Sequence, residues 1–395
     1  MKLTVKQLVP GGQGIGKISD KKSPHFGQVI FLWNALPGEV VADFQITTKK
    51  SNYLEGIVTK LDTRSPHRVK SKDSCFLSTS PWQVMDFDYE LEQKRLLVAE
   101  SFRQAKLQLP DGLEIEPTIT DGQSWFYRNK MEYALYWDNY ANKIKLAFHG
   151  RGTHRKIPIL TSSIERPEIF AKAQEIVVEL NANHEEARKY QSLLLRANQQ
   201  GEVSGGLYEN HQPHPTFPPL TDELLGRQYS YSPNGFFQIN LPVYELALKE
   251  IAKEITTEKV LDLYAGVGTI GLSVARDKDL TLVECNADAY RELQNNCAGT
   301  SAHPIFAKSE SALDYLKKDQ TVILDPPRSG CHKNLIDKLT EVKPEKIIYL
   351  SCNPSTQARD LKLLTTEYNI SRVVPFNFFP RTTHIENLAI LTRKS

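Results

Sequence analysis

After residue 226 the chain alternates, at short and regular intervals, apolar runs of strand length with amphipathic runs of helix length. Strands are expected at 259–264, 280–285, 321–324 and 347–350, and helices at 270–275, 287–297 and 333–339. Strict alternation of this kind implies an α/β fold with a parallel sheet covered by helices. Two last runs, 372–378 and 387–392, are joined by a short loop and fit an antiparallel pair at the edge of the sheet. Open α/β sheets bind their ligands at the carboxyl ends of the strands, so the residues standing there carry the chemistry.

The first part of the chain has a different grammar. Short β-type runs at 3–8, 28–33, 40–47 and 54–61, separated by Gly11-Gly12-Gln13-Gly14 and Pro37-Gly38, predict a small β-barrel over 1–60. Lys21, Lys22, His25, Lys49, Lys50 and Lys60 would give it a phosphate-contacting face, although charge runs are usually only solvated. Tyr89, Leu91, Leu96, Leu97, Ala99 and Phe102 mark a helix over about 88–106 that packs on the last domain. Residues 113–165 return to β-type runs, such as 126–137 and 144–148, and end in a basic loop from His149 to Lys156 that includes His154. The stretch 169–197 reads as one or two helices, and 201–219, rich in Gly, His and Pro, as a linker. The expected division is a barrel over 1–60, a mixed α+β middle domain over 61–225 and a Rossmann-like domain over 226–395.

A chain of 395 residues exceeds one ordinary core, which agrees with several domains. Lys plus Arg number 49 against 47 for Asp plus Glu, so a nucleic-acid surface has to be local. The five cysteines show no CxxC spacing, which argues against a disulfide framework or a zinc ribbon and for a reducing cytosol. The N-terminus lacks a signal-peptide h-region, and no apolar run approaches the roughly 20 residues that span a bilayer. A cytoplasmic protein is expected, with no membrane association, no metal and no evident obligate protein partner.

The run Val260 to Gly271 is a buried strand feeding a Gly-rich turn at a helix start, which lets a ligand approach the backbone. A nucleotide, a dinucleotide or a methyl donor can each use such a loop. Glu284 ends the next strand, where a carboxylate meets a ribose diol. The third glycine of the dinucleotide fingerprint and the Lys-Ser/Thr of a P-loop are both missing, so S-adenosylmethionine is favoured. Asp325, before Pro326 and Pro327, and Cys352, before Asn353 and Pro354, each end a strand at the same edge. A free cysteine alone is more often a small buried hydrophobe. At this edge, beside a cofactor loop, a lowered pKa would make it a thiolate nucleophile. Glu386, between the last two runs, is placed to serve as its base.

These motifs resemble those of the S-adenosylmethionine-dependent RNA uridine-5-methyltransferases. The resemblance covers nearly the whole chain and rests on Asn234-Gly235-Phe236-Phe237-Gln238-Ile239-Asn240, Leu263-Tyr264-Ala265-Gly266-Val267-Gly268, Asp325-Pro326-Pro327-Arg328, Ser351-Cys352-Asn353-Pro354 and Phe379 to Glu386. The first 60 residues are similar to a TRAM domain, an OB-like barrel that binds RNA. The resemblance implies addition of Cys352 to carbon 6 of a uracil, methylation of carbon 5 and removal of its proton by Glu386. It further implies that Asp325 and Gln238 hold the base edge and cofactor, and that Tyr264, Thr269 and Glu284 line the adenosine pocket. Phe236 and Phe237 would stack on a flipped uridine or, for one of them, plug the core. The TRAM-like barrel points to ribosomal RNA, of the large subunit, as substrate. The transfer-RNA T loop, and a non-catalytic RNA-binding role on the same fold, are the alternatives. Many relatives hold an iron–sulfur cluster on four cysteines of the middle domain. Here Cys75 stands alone and Ser162 occupies the region of the distant fourth, so no cluster is expected.

Overall fold

The computed structural model describes residues 3–394 except 154, 211, 215 and 216, so His154 of the basic loop lies outside the described residues. The N-terminal part forms one six-stranded sheet from β1 (Leu3–Thr4), β2 (Gln7–Leu8), β3 (Gly14–Lys17), β4 (Val29–Trp33), β5 (Val40–Lys49) and β6 (Tyr53–Thr63), in the order β1-β5-β6-β4-β3-β2. Its buried positions, Ile30 and Leu32 on β4 and Leu54 and Val58 on β6 among them, build a separate apolar core. The run 3–8, expected as one strand, is two. The Val5 N–H turns to the Glu39 carbonyl and the Lys6 N–H to that of Ile15, so the chain changes partner midway. Lys21, Lys22, Lys49, Lys50 and Lys60 are exposed.

A short helix α1 (Phe76–Thr79) precedes α2 (Phe87–Ala105). Asp86 caps α2 by accepting the Tyr89 N–H at 2.8 Å. The middle region then builds an antiparallel sheet from β7 (Lys130–Asp138), β8 (Lys143–His149), β9 (Lys156–Pro158), β10 (Ser192–Ala197), β11 (Val203–Glu209) and β12 (Gln212–His214), with α3 (Pro167–Ala182) against it. Two expectations are corrected here. Residues 169–197 are not helical throughout: the helix stops at Ala182, and the buried Leu193, Leu194 and Leu195 form the central strand β10 between β7 and β11. A short continuous apolar run suits a fully buried strand as well as a helix, and burial decided it. Residues 201–219 are not a linker, because β11 pairs along β10. Gly205, at φ +130°, is needed there, since a Cβ would lie 2.2 Å from the Leu194 carbonyl oxygen.

Around Cys75 the polar side chains form a closed network. Gln83 Nε2 donates to Asp73 Oδ2 and to Ser80 Oγ, both at 2.7 Å, and Ser163 Oγ donates to Asp73 Oδ1 at 2.8 Å. Ser162 Oγ and, at 2.9 Å, the Tyr133 hydroxyl donate to the buried Glu165 carboxylate. Hydrogen bonds and packing thus join segment 72–83 to segment 162–165.

A hairpin of β13 (Leu220–Leu224) and β14 (Arg227–Tyr231) and helix α4 (Leu241–Ala252) lead into the last domain. There β15 (Lys259–Leu263), β16 (Asp279–Glu284), β17 (His303–Phe306), β18 (Gln320–Leu324), β19 (Lys346–Ser351), β20 (Tyr368–Phe376) and β21 (Glu386–Arg393) form one sheet in the order β17-β16-β15-β18-β19-β21-β20. It alternates with α5 (Thr269–Val274), α6 (Ala287–Cys297), α7 (Lys333–Val342) and α8 (Pro354–Leu364). The expected strands and helices all appear, and β17 and α8 join them. Only β21 runs against its neighbours, and β20 takes the edge. Successive residues of each strand enter opposite cores. Leu261, Val322 and Tyr349 face α7 and α8, while Val260, Ile323 and Ile348 face α4, α5 and α6. Helix α2 packs on α8 from the α7 side of the sheet. Among the described residues no helix is long and apolar enough to cross a membrane.

Candidate active site

The sheet register brings the expected chemical groups together. Ser351 pairs with Asn387 across the antiparallel β19–β21 ladder, so the next step along it sets Cys352 against Glu386. Asp325 follows directly on β18, whose Leu324 pairs with Tyr349 of β19. The Cys352 turn is fixed by residues close to it. The Asn353 N–H donates to Ser351 Oγ at 3.1 Å, Asn353 Oδ1 accepts the Ser355 N–H at 3.2 Å, and Asn353 Nδ2 reaches the Arg328 carbonyl at 2.9 Å.

Burial raises the pKa of all three acids, and repulsion from neighbouring carboxyl groups adds to it for Glu386 and Cys352. Burial raises Asp325 to about 7. Burial, and then the nearby Asp325, raise Glu386 well above the usual carboxylate range, with Arg328 pulling the other way. Cys352 is pushed up to about 12 by burial, Glu386 and Asp325, again against Arg328. The expectation of a lowered thiol pKa is therefore corrected. Taking the thiol out of water beside two carboxyl groups outweighs the single guanidinium. A site with this balance favours a cationic ligand. Arg328 is itself bound to His384, whose Nδ1 accepts from Arg328 Nη2 at 3.0 Å. Burial, then Arg328, lower the His384 pKa to about 4, so its ring is neutral. Arg328 and His384 lie within the quoted motifs, but nothing in the sequence separated them from their neighbours.

The loop that carries Glu386 is held from outside the sheet. Lys94 of α2, fully buried, donates through Nζ to Asn377 Oδ1 at 2.6 Å and to the Phe379 carbonyl at 3.0 Å. Glu90 Oε1 accepts from Asn377 Nδ2 at 3.1 Å and from the Arg381 N–H at 2.9 Å. Sequence patterning showed α2 but not this pair, because buried charges look in sequence like any other polar residue on a helix.

At the cofactor loop, Glu284 Oε2 accepts the Gly266 N–H at 2.8 Å and its Oε1 accepts those of Cys285 and Asn286 at 2.8 and 2.6 Å. Gly266 has φ +57° and nothing within 4 Å of where a Cβ would stand, so a ligand has open access to the backbone. These features fit an adenosine group with its diol on Glu284. Thr269 is buried at the start of α5, hydrogen-bonded to the buried Tyr244. Tyr264, at φ +64°, lies among Ser309, Glu310, Cys331 and His332. Gln238 is buried on a loop fixed by the middle sheet, where Lys130 Nζ donates to the Asn234 and Gly235 carbonyls at 2.9 and 3.1 Å and Asn129 Nδ2 to that of Gln238 at 3.1 Å. On the same loop Phe237 is the core plug, stacked on Tyr231 at 4.0 Å, and Phe236 is 73% exposed.

Comparison with known proteins agrees with this geometry. Residues 309–394, which contain Asp325, Cys352 and Glu386, match the family described as tRNA (Uracil-5-)-methyltransferase. A protein of Bacillus cereus described as an uncharacterised RNA methyltransferase is 29% identical, over 99% of this chain and 96% of its own. One of Lactobacillus johnsonii with the same description is 28% identical over 98% and 96%. The fold matches that of the Pyrococcus abyssi tRNA (uracil-54, C5)-methyltransferase, solved with S-adenosyl-L-homocysteine, at a TM-score of 0.76 and 24% identity over 99% of this chain and 100% of the other. The resemblance read in the motifs is borne out over residues 309–394, and over nearly its whole length the chain is similar to proteins described as RNA methyltransferases.

Proposed function

We propose, from the uracil-5-methyltransferase signature in residues 309–394, that this chain methylates carbon 5 of a uridine in a structured RNA through a covalent Cys352 adduct. The observation that carries the reading is the β19–β21 register, which sets a thiol and a carboxyl group opposite each other at the carboxyl edge. When bound, S-adenosylmethionine supplies an electrophilic methyl on a sulfonium cation. The Cys352 thiol gives its proton to water in the cleft that it lines, its sulfur adds to carbon 6, and the electron pair moves to the carbon 4 oxygen as an enolate. Carbon 5 takes the methyl and leaves the donor a neutral thioether; Glu386, acting in the carboxylate form that Arg328 favours, removes the carbon 5 proton, and the sulfur leaves carbon 6 as the ring double bond returns. Arg328 draws the thiol toward its anion, and a cation bound at this edge adds to that effect.

Asp325 and Gln238 hold the base edge and the cofactor, Glu284 the ribose, and Tyr264 and Thr269 the surroundings of the adenosine. We assign residues 1–60 to a TRAM-type RNA-binding barrel, 61–225 to the middle domain and 226–395 to the catalytic domain, in a cytoplasmic protein. The ribosomal reading rests on the N-terminal sheet. The fold match to a transfer-RNA enzyme runs over 99% of this chain, that sheet included, and favours the T loop as a second reading. Nucleoside analysis of separated ribosomal and transfer RNA, from cells with and without the gene, tests both. 5-methyluridine lost from one fraction names the substrate, and an unchanged content in both overturns the proposal.

A further inference from the structure

Outside Cys352 lies a cleft of about 380 Å³, within the range of small-ligand sites, whose walls come from all three parts of the chain. Cys352, Asn353, Arg328 and His384 form its inner end, Trp33 of β4 belongs to the N-terminal sheet, and Arg151 follows β8 of the middle sheet. The Arg151 guanidinium lies 4.0 Å from the centre of the Trp33 ring, and its Nε donates to the Leu77 carbonyl at 2.5 Å. The platform thus joins the two sheets, with α1 holding the guanidinium.

The N-terminal wall is seated firmly as well. Trp82 Nε1 donates to the Gly12 carbonyl at 3.1 Å, and a Cβ on Gly12 would stand 2.1 Å from Thr383 Cγ2. The turn between β2 and β3 therefore rests directly on the loop that leads to Glu386. Nothing in the proposed chemistry uses Trp33 or Arg151. Yet they line the same cleft as Cys352, and their chemistry is that of a single-strand platform: a guanidinium lying over one face of an aromatic ring. Arg151 and Arg328 give the walls positive charge, while the carboxyl groups lie deeper.

We propose that this cleft is a second nucleotide site, in which the Trp33–Arg151 platform stacks the base next to the target uridine and Arg151 and Arg328 face its phosphate. The inference rests on the methyltransferase reading above. It explains how three separately built sheets contribute to one event. Extruding a base from a folded RNA costs a few kcal/mol, and stacking its neighbour at the mouth offsets part of that.

The test is steady-state methyl transfer to total RNA from cells lacking the gene, with cofactor affinity measured by calorimetry. Trp33→Ala is expected to raise the KM for RNA roughly ten- to a hundredfold, with the cofactor Kd and the melting temperature unchanged. Trp33→Phe is expected to stay within about threefold of wild type, because the phenyl ring keeps a stacking face. Arg151→Gln is expected to lower the slope of log affinity against log salt by about one, the mark of one lost phosphate contact. A folded Trp33→Ala protein with wild-type KM for RNA overturns the inference. If Trp33→Ala does not fold, an unchanged salt slope in Arg151→Gln overturns it. Wild-type protein that leaves uridine unmethylated overturns the methyltransferase reading first, so the two failures are distinguishable.

Discussion

The two halves of the proposed reacting pair are held in contrasting ways. Cys352 sits on a turn fixed by Ser351, Asn353 and Ser355, residues within a few positions of it, and by the Arg328 carbonyl. Glu386 follows a loop whose shape depends on Lys94 and Glu90, more than 280 residues earlier in the chain. The nucleophile is thus a local construction, whereas the base exists only when α2 has docked. Loss of Lys94 or Glu90 should weigh on the glutamate more than on the cysteine, which α2 meets through its packing on α8 and the Ser101–Ser355 contact at 3.3 Å.

The sharpest contrast comes from removing each group itself. Cys352→Ala is expected to lower turnover by at least about a thousandfold and to leave no covalent adduct with RNA. Glu386→Gln should lose turnover to a similar extent but accumulate the adduct, because sulfur adds and the carbon 5 proton stays. Denaturing gels with labelled RNA separate the two, and a Glu386→Gln protein without adduct breaks the assignment. A smaller effect is expected for Lys94→Met, which removes the nearer of Glu90's two buried cations, leaves Arg381 at 3.7 Å and destabilises the fold by at most roughly 3–5 kcal/mol. At a temperature where it remains folded, kcat should fall about ten- to a hundredfold while 5-fluorouridine RNA still captures Cys352. Loss of capture in step with kcat would show that the two halves are not independent.

The acid–base balance gives two further tests. Since Cys352 is pushed up to about 12, its alkylation by iodoacetamide should still be rising between pH 8 and 10, followed by peptide mass spectrometry. A plateau near pH 7 would restore the thiolate expected from sequence. Burial raises Asp325 to about 7 in the fold, from about 4 in the unfolded chain. Its contribution to stability is therefore complete below about pH 4 and lost as pH rises through 7. Asp325→Asn should raise the melting temperature by a few degrees at pH 8 and leave it unchanged at pH 4. Smallest of all is Lys362→Ala, which removes an exposed bond of 3.1 Å from α8 to the Ala105 carbonyl on the nucleophile side. It should stay within about 0.5 kcal/mol of wild type, with unchanged kcat.

The same contrast explains what was readable. The sheet strands announced themselves as apolar runs over 259–264, 321–324 and 347–350, and in the structure they end at Leu263, Leu324 and Ser351, with Asp325 and Cys352 next in the chain. The triple leucine of β10 misled, because a buried strand and a buried helix share that composition and only its partners β7 and β11 distinguish them. Glycines around 201–206 suggested a linker, although one of them marks a close strand crossing. The thiol was read as activated because position at a strand end is visible in sequence and desolvation is not.

By itself the sequence determined the alternating α/β grammar, the order of the motifs and the identity of the groups at the strand ends, since periodicity and turn residues act over a few neighbours. Only the tertiary structure decided that Cys352 and Glu386 face each other, that burial raises the pKa of both, and that Lys94, Trp33 and Arg151 stand around them. Those facts depend on register, burial and docking between segments far apart in the chain, and such contacts leave no local pattern.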